Sequence, residues 1–475
     1  MTFPWPTTPP TAALRAAFAG ATVRPYWLDA LPAREREPPL EGPAEADLCI
    51  VGAGFTGLWA SLHAKAEDPA RDVVVLEADT VGIGASGRNG GFALGSLTHG
   101  IENGLARFAA EMPALERLGR ENFAGFVADV ERLGIDCELE LTGDVGVALE
   151  PHELAWVEET AELLERHGHE HEVFDREAIQ AEVASPTYLG GVWDKTDAAL
   201  VHPGKLVVGL ADAARAVGVR IHERTPATRI VDDPTGVRVL VPAGHVRARS
   251  VLLATSAYPP LLRAIRRYVA PVYDYALMTE PLSPAQRESI GWKRRQGLGD
   301  MANQFHYYRL TSDDRILWGG YDAVYRYGGP VRPELDDDEA SFAKLSQHFF
   351  ATFPQLEGVR FSHRWGGAID TCSRFSVFFG TAHGGHVAYA VGYTGLGVVS
   401  TRFGARVGLD LLDGRETEAT RLRYVRSKPV PFPPEPLRSG VIQLTRNRLD
   451  AADRNAGRRG LWLKTLDRLG LGFDS

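Results

Sequence analysis

The chain of 475 residues is poor in cysteine. Its three cysteines, Cys49, Cys137 and Cys372, lie far apart and lack any metal or redox spacing. That excludes a disulfide scaffold and a zinc fold, and it makes a reducing compartment, the cytoplasm, the expectation. No uninterrupted apolar run reaches the ~20 residues that a membrane-spanning helix needs. The first thirty residues lack an apolar core of the signal-peptide kind. An excess of positive charge is missing too: 52 Lys and Arg face 61 Asp and Glu, a formal charge of −9. Such a balance argues against nucleic-acid binding. No GxSxG elbow supports a serine hydrolase. His167, His169 and His171 alternate among Glu165, Glu170 and Glu172 on a stretch read as an exposed loop, and no metal site is expected there.

Glycine, by contrast, is abundant: 50 of 475 residues, against a usual ~7%. Residues 52–104 hold eleven of them and residues 366–408 hold ten. Both stretches should therefore contain backbone at positive φ, or backbone close to a ligand.

Length predicts two or three domains. Residues 1–44 read as an N-terminal arm over the surface, with one short helix near 11–19. A buried strand at 47–51, a helix from Gly57 to about Lys65 and a second buried strand at 72–77 form a βαβ unit. Further helices are predicted at 105–135, 152–167, 203–217 and 336–353, and from Gly397 through Leu412. Strands are predicted within 139–150, 219–254, 269–279, 304–310 and 315–321. Residues 421–475 carry twelve Lys and Arg against five Asp and Glu. This basic tail, with a Pro-rich stretch at 429–436 and two short amphipathic helices, is expected to pack on the acidic body, in cis or across a dimer. An anionic partner is the lesser alternative.

The motif Gly52-Ala53-Gly54-Phe55-Thr56-Gly57 follows a strand and opens a helix, the context in which GxGxxG cradles a pyrophosphate. The helix N-terminus then offers unpaired N–H groups to the anion. Glu77 stands twenty residues after Gly57, where a carboxylate is expected to meet a ribose hydroxyl. Ala78 leads into a second glycine loop that ends Ser86-Gly87-Arg88-Asn89-Gly90-Gly91. An NAD domain has no need of this loop, whereas a flavin extends beyond the pyrophosphate and does. Ser86 can reach phosphate, and Arg88 and Asn89 can face the pyrophosphate or the ring edge. The plain alternative for Arg88 is a salt bridge.

Together, Val51-Gly-Ala-Gly-Phe-Thr-Gly-Leu58 and Gly84-Ala-Ser-Gly-Arg-Asn-Gly-Gly91 resemble the FAD-dependent D-amino-acid oxidase superfamily, and within it the gamma-glutamylputrescine oxidoreductase-like members. The resemblance runs from about 25 to 475. It extends to the segment from Pro271 to Glu280, the segment from Tyr307 to Gly320, Trp365-Gly-Gly-Ala-Ile-Asp370 and Gly392-Tyr-Thr-Gly-Leu-Gly397.

The resemblance implies a mixed α/β fold, in which a Rossmann-like FAD-binding domain is interleaved with an antiparallel-sheet substrate domain. The FAD domain would comprise 45–140, 196–268 and 366–413, and the substrate domain 141–195 and 269–365, with 414–475 as the tail. It further implies hydride transfer from a CH–NH or CH–NH2 donor to flavin N5, hydrolysis of the resulting imine, and reoxidation by oxygen or another acceptor. Ala227 matches a position that meets adenine, or else it is strand packing. The loop of Gly392, Tyr393, Thr394, Gly395, Leu396 and Gly397 would set a helix N-terminus beside the flavin pyrimidine. Gly367 stands where cysteine-linked relatives carry their cysteine, and the Arg88-Asn89 loop has no histidine, so FAD is expected to be non-covalent.

For the substrate, Ile369 occupies the place of the arginine that pairs a carboxylate in glycine oxidase, while Asp370 beside it can hold an ammonium. This points to a small-molecule amine. Tyr307, Arg309, Trp365 and Asp370 form the expected catalytic set. Arg309 binds a distal carboxylate or makes a hairpin salt bridge with Asp313 or Asp314, and Asp370 has a turn-capping alternative. Tyr273, Tyr275, Tyr307, Tyr308 and Trp318 line an aromatic pocket or belong to the core. An amino- or imino-acid oxidase using Arg309, and a flavin-binding module without turnover, remain as alternatives. Homo-oligomerisation stays open.

Overall fold

A computed structural model describes residues 4–6 and 8–472. The strand Gly42–Val51 lies between Val73–Leu76 and Gly244–Leu253, parallel to both, and Arg220–His222 extends the sheet beyond Val73–Leu76. The apolar runs 48–51 and 73–76 belong here because the sheet is covered on both faces, so both side-chain directions must be hydrophobic. Residues Leu48 to Ile50 and Val73 to Val75 are fully buried. The helix Phe55–Glu67 makes the crossover and packs between the helices Pro203–Ala216 and Ser400–Leu412. Strands Arg229–Asp233 and Gly236–Val241 add an antiparallel flap. Val387–Val391 pairs in parallel with the end of Gly244–Leu253, and Phe378–Ala382 pairs antiparallel with Val387–Val391.

The larger sheet runs in the order Thr22–Val23, Phe361–Thr371, Ala270–Thr279, Ile316–Gly320, His306–Leu310, Gly297–Asp300, Asp144–Ala148, Gly190–Asp194, His171–Phe174. Its centre is antiparallel, as expected. It is mixed as a whole, because Thr22–Val23 and Gly297–Asp300 each join a neighbour in parallel. One face is covered by the helix Glu339–Thr352, whose Phe342, Leu345 and Phe349 share a core with Tyr308 and Trp318. Those two aromatics are therefore core. Tyr273 and Tyr275 belong to the same core and also border the cavity described below.

The N-terminal arm is more deeply built in than a surface strap. Its helix Ala12–Ala19 forms where predicted. Thr22–Val23 then becomes the edge of the larger sheet, and Trp5, Phe18 and Trp27 are buried, Trp27 completely. The prevalence of Pro and Ala in this stretch conceals the few aromatics that dock it.

The tail packs on the body in cis. Its helix Leu437–Asp453, after the Pro-rich stretch, is 17 residues long rather than short, and Leu461–Arg468 follows. Arg446 pairs with Asp322 at 3.1 Å. The tail's acids contribute as much: Glu435 accepts from the Tyr325 hydroxyl at 2.7 Å, and Asp453 accepts from the Asn303 and Gln304 amides at 3.0 Å each. His167 and His169 pair separately with Glu116 and Asp194, and of the three histidines only His171 lies in a strand. Among the described residues, no group of His, Cys, Asp and Glu is arranged to hold a metal, and no helix is long and apolar enough to cross a membrane.

Candidate active site

A cavity of about 1050 Å³ runs from the C-terminal ends of the parallel strands, along the larger sheet, to the tail helices. At its first end lies the turn after Gly42–Val51. Gly52 adopts φ +109°, which a side chain would resist. A Cβ on Gly57 would fall 1.9 Å from the Gly52 carbonyl oxygen, so the helix can approach the strand only as glycine. The helix N-cap, Gly54, provides no side-chain cap, and the Phe55 amide donates to Ser86 Oγ at 2.9 Å. The first turn thus faces the cavity with its dipole, a ready anion site. Glu77 also lines the cavity, its Oε2 accepting from the Ala53 amide at 2.9 Å and its Oε1 from the Asp79 amide at 3.1 Å. Burial pushes this carboxyl above the usual range. Each oxygen keeps a second lone pair for a hydroxyl donor. Ala227 lines the same end, just before the strand Arg229–Asp233.

The second glycine loop closes on itself. Asn89 Nδ2 donates to the carbonyls of Ala85 and Ser86, and its Oδ1 accepts from the Gly91 amide. Arg88 donates to Asp336 at 2.6 Å and to the Gly366 and Ile83 carbonyls. Its guanidinium is committed to tying the loop to the larger sheet, so the salt-bridge alternative is the one observed. The Arg88 carbonyl in turn accepts from Trp365 Nε1 at 2.9 Å. Trp365, Ser86, Arg88, Asn89 and Gly90 all line the cavity, whereas Gly57, Gly87, Gly91 and Gly392 support the loops from behind.

The four expected catalytic residues separate. Tyr307 faces the cavity, and its hydroxyl donates to Asp274 at 2.7 Å. A Cβ on Gly90 would lie 2.8 Å from the Tyr307 ring, so the absence of a side chain there lets ring and loop meet. Arg309 does not line the cavity. It is fully buried, donates to the Val201 carbonyl at 2.6 Å and to the Leu310 carbonyl, and stacks over Trp27 at 5.7 Å. Neither Asp313 nor Asp314 pairs with it, since they bind Arg315 and Arg287. Asp370 is buried at the cavity wall, and its Oδ2 accepts from the Gly392 amide at 2.6 Å. Burial pushes its carboxyl up to about 6 against the amides of Gly392, Tyr393 and Thr394. It acts as the cap of that turn. The turn is further fixed by Thr56 Oγ1 donating to the Tyr393 hydroxyl. Tyr393, Thr394, Gly395, Leu396 and Gly397 line the cavity, and the helix itself starts at Ser400.

The model of the FAD dependent oxidoreductase family, DAO, matches residues 47–411. The chain belongs to that family. It is 34% identical over 395 residues to gamma-glutamylputrescine oxidoreductase of Escherichia coli strain K12, covering 82% of this chain and 88% of the relative. Its fold is similar to that of glycine oxidase from Geobacillus kaustophilus, with TM-score 0.66 and 19% identity over 81% of this chain and 99% of the other. It is also similar to iminodiacetate oxidase from Chelativorans sp. BNC1, with TM-score 0.63 and 14% identity over 80% of this chain and 98% of the other. The protein is thus an FAD-dependent oxidoreductase of the DAO type.

The residues fit the cofactor. The helix turn at Gly54 would hold the pyrophosphate of a family FAD, and Glu77 would hold a ribose hydroxyl. Several lining residues were not legible in the sequence. Thr255 and Ser256 follow the strand Gly244–Leu253, and the carboxyl end of a parallel strand was the signal for them. Asp274 and Asp144 line the cavity as half-buried carboxyls, pushed up to about 6 and about 7 by desolvation. Asp274 stands between Tyr273 and Tyr275 in a strand, where alternation turns it to the opposite face.

Proposed function

We propose that this DAO-family protein oxidises a C–N bond of an amine, with Asp274 holding the substrate ammonium and Tyr307 orienting Asp274. The observation that carries the reading is the Tyr307–Asp274 hydrogen bond in the cavity wall, directly against the glycine loop at Gly90. Asp274 also accepts from the Tyr275 amide at 2.8 Å, and these donors favour its ionised form. Asp144 has an unpartnered Oδ1 and lies nearer neutrality, which makes Asp274 the better cation partner at pH 7. Arg309 does not line the cavity and is not placed to serve an α-carboxylate beside Asp274, so the amine reading is preferred to an amino-acid oxidase that uses Arg309. The printed name of the Escherichia coli relative supplies the substrate class that we carry over: an amine of the gamma-glutamylputrescine kind.

FAD, when bound, supplies the hydride-accepting chemistry. The chain's part is to hold the substrate nitrogen at Asp274 and to exclude water with Trp365, Phe92 and Tyr307. We take the smaller sheet and its helices as the FAD unit and the larger sheet as the substrate unit. We also take FAD to be non-covalent. In support, the Cys372 thiol is buried and directed at the Ser376 and Gly392 carbonyls, and His99 Nε2 lies against the Thr394 carbonyl.

The test is anaerobic mixing of the holoenzyme with amines and with α-amino acids. Amines should bleach the flavin absorbance. If only free α-amino acids do so, the amine reading is wrong.

A further inference from the structure

We propose that Arg446 recognises an anionic group at the end of the substrate remote from the oxidised amine, so that the protein selects amines carrying a carboxylate at the far end. This rests on the amine reading above. The family model ends at residue 411, yet the tail helix Leu437–Asp453 walls the same cavity. It presents Val441, Ile442, Thr445, Arg446 and Leu449, a stripe at helical spacing in which Arg446 is the charged member.

A guanidinium in such a wall needs an anionic partner. Asp322 is that partner, accepting from Arg446 Nη2 at 3.1 Å. Asp322 is already held, however. Lys344 Nζ lies 2.8 Å from each of its oxygens, and Ser341 Oγ donates to it at 3.2 Å. Two cations share one carboxylate that is only 6% exposed, so the cluster carries a net positive charge. Arg446 spends one nitrogen on Asp322. The remaining donors of its planar fork have the geometry that a carboxylate accepts. Asp274 supplies the opposite charge elsewhere in the same cavity, and Asp322 is near enough for its charge to raise the Asp274 carboxyl. A cavity with a carboxylate against the glycine loop and a surplus cation on the tail helix complements a ligand with an ammonium at one end and a carboxylate at the other.

The experiment titrates the oxidised holoenzyme with two probes, read by perturbation of the flavin spectrum: ε-aminocaproate, which has both charges, and hexylamine, which has only the ammonium. The native protein should prefer ε-aminocaproate at least tenfold. Arg446→Gln should abolish that preference while changing hexylamine affinity less than twofold, and Arg446→Lys should restore part of it. The proposal is overturned if the native protein shows no preference. It is equally overturned if Arg446→Gln weakens both probes alike, the mark of a helix clip without a recognition role. Binding is read without turnover, so failure of every amine to bleach the flavin would sink the amine reading separately from this result.

Discussion

Two carboxylates on adjacent strands, the half-buried Asp274 and the buried Asp370, have different hydrogen-bond donors. Asp370 meets the amides of a turn, while Asp274 meets a tyrosine hydroxyl and the backbone of Tyr275 and Gly320. Asp274→Asn should therefore raise KM for amines about tenfold or more, as expected for loss of a charge-assisted bond, and leave the flavin bound. Steady-state kinetics and the visible spectrum check both. Because an ammonium needs the ionised form, kcat/KM for amines should fall as pH drops through about 6 in the native protein. Glu153 offers a separate test. It is buried, accepts from the Leu149 and Glu150 amides through one oxygen, and is pushed up to about 8, mainly by burial. Its folded pKa lies above the unfolded value, so the stability it contributes is present at low pH and is lost as pH rises toward about 8. Glu153→Gln should flatten that loss, which is at most about 1.4 kcal/mol per pH unit. Melting curves from pH 5 to 9 would show whether it does.

At the scale of elements, the helix Phe55–Glu67 depends on glycine for its closeness to the strand before it. In Gly57→Ala the new Cβ would sit 1.9 Å from the Gly52 carbonyl oxygen, so the helix must move. The purified variant should then lack most of its flavin absorbance per unit of protein, while folding well enough to be recovered. The N-terminal arm is a second such element. Trp27 is fully buried, and its carbonyl lies where a Cβ on Gly204 would be, 2.1 Å away. Trp27→Ala should destabilise the protein by about 3–5 kcal/mol, read as a lower urea midpoint, even though the arm precedes the residues that the family model matches.

For the whole molecule, one cavity joins both sheets and the tail, and the proposal that FAD is held there without a covalent bond is tested at this scale. Acid precipitation of the holoenzyme should release the flavin into the supernatant. Flavin absorbance retained in the pellet would contradict non-covalent binding. The local features of this architecture were readable in the sequence. Gly52 to Gly57, Glu77 and the second glycine loop act over a few residues, and their spacing carries their meaning. The elements between them were legible by periodicity, from the strand at 47–51 to the helix after Gly397.

The sequence by itself thus determined the dinucleotide cradle, its approximate elements and the membership of an FAD-dependent family, since backbone turns and alternating burial are short-range consequences of residue type. Tertiary structure alone decided which partners the polar residues on and behind the cavity wall meet. Arg309 turns away because carbonyls 108 and 218 residues earlier, at Val201 and Gly91, accept its hydrogen bonds. Asp370 becomes a turn cap because Gly392 stands 22 residues beyond it. Asp274 faces Tyr307 because strand pairing puts those two faces together. A buried charge takes its role from whichever partner reaches it in space, and those partners are far away along the chain.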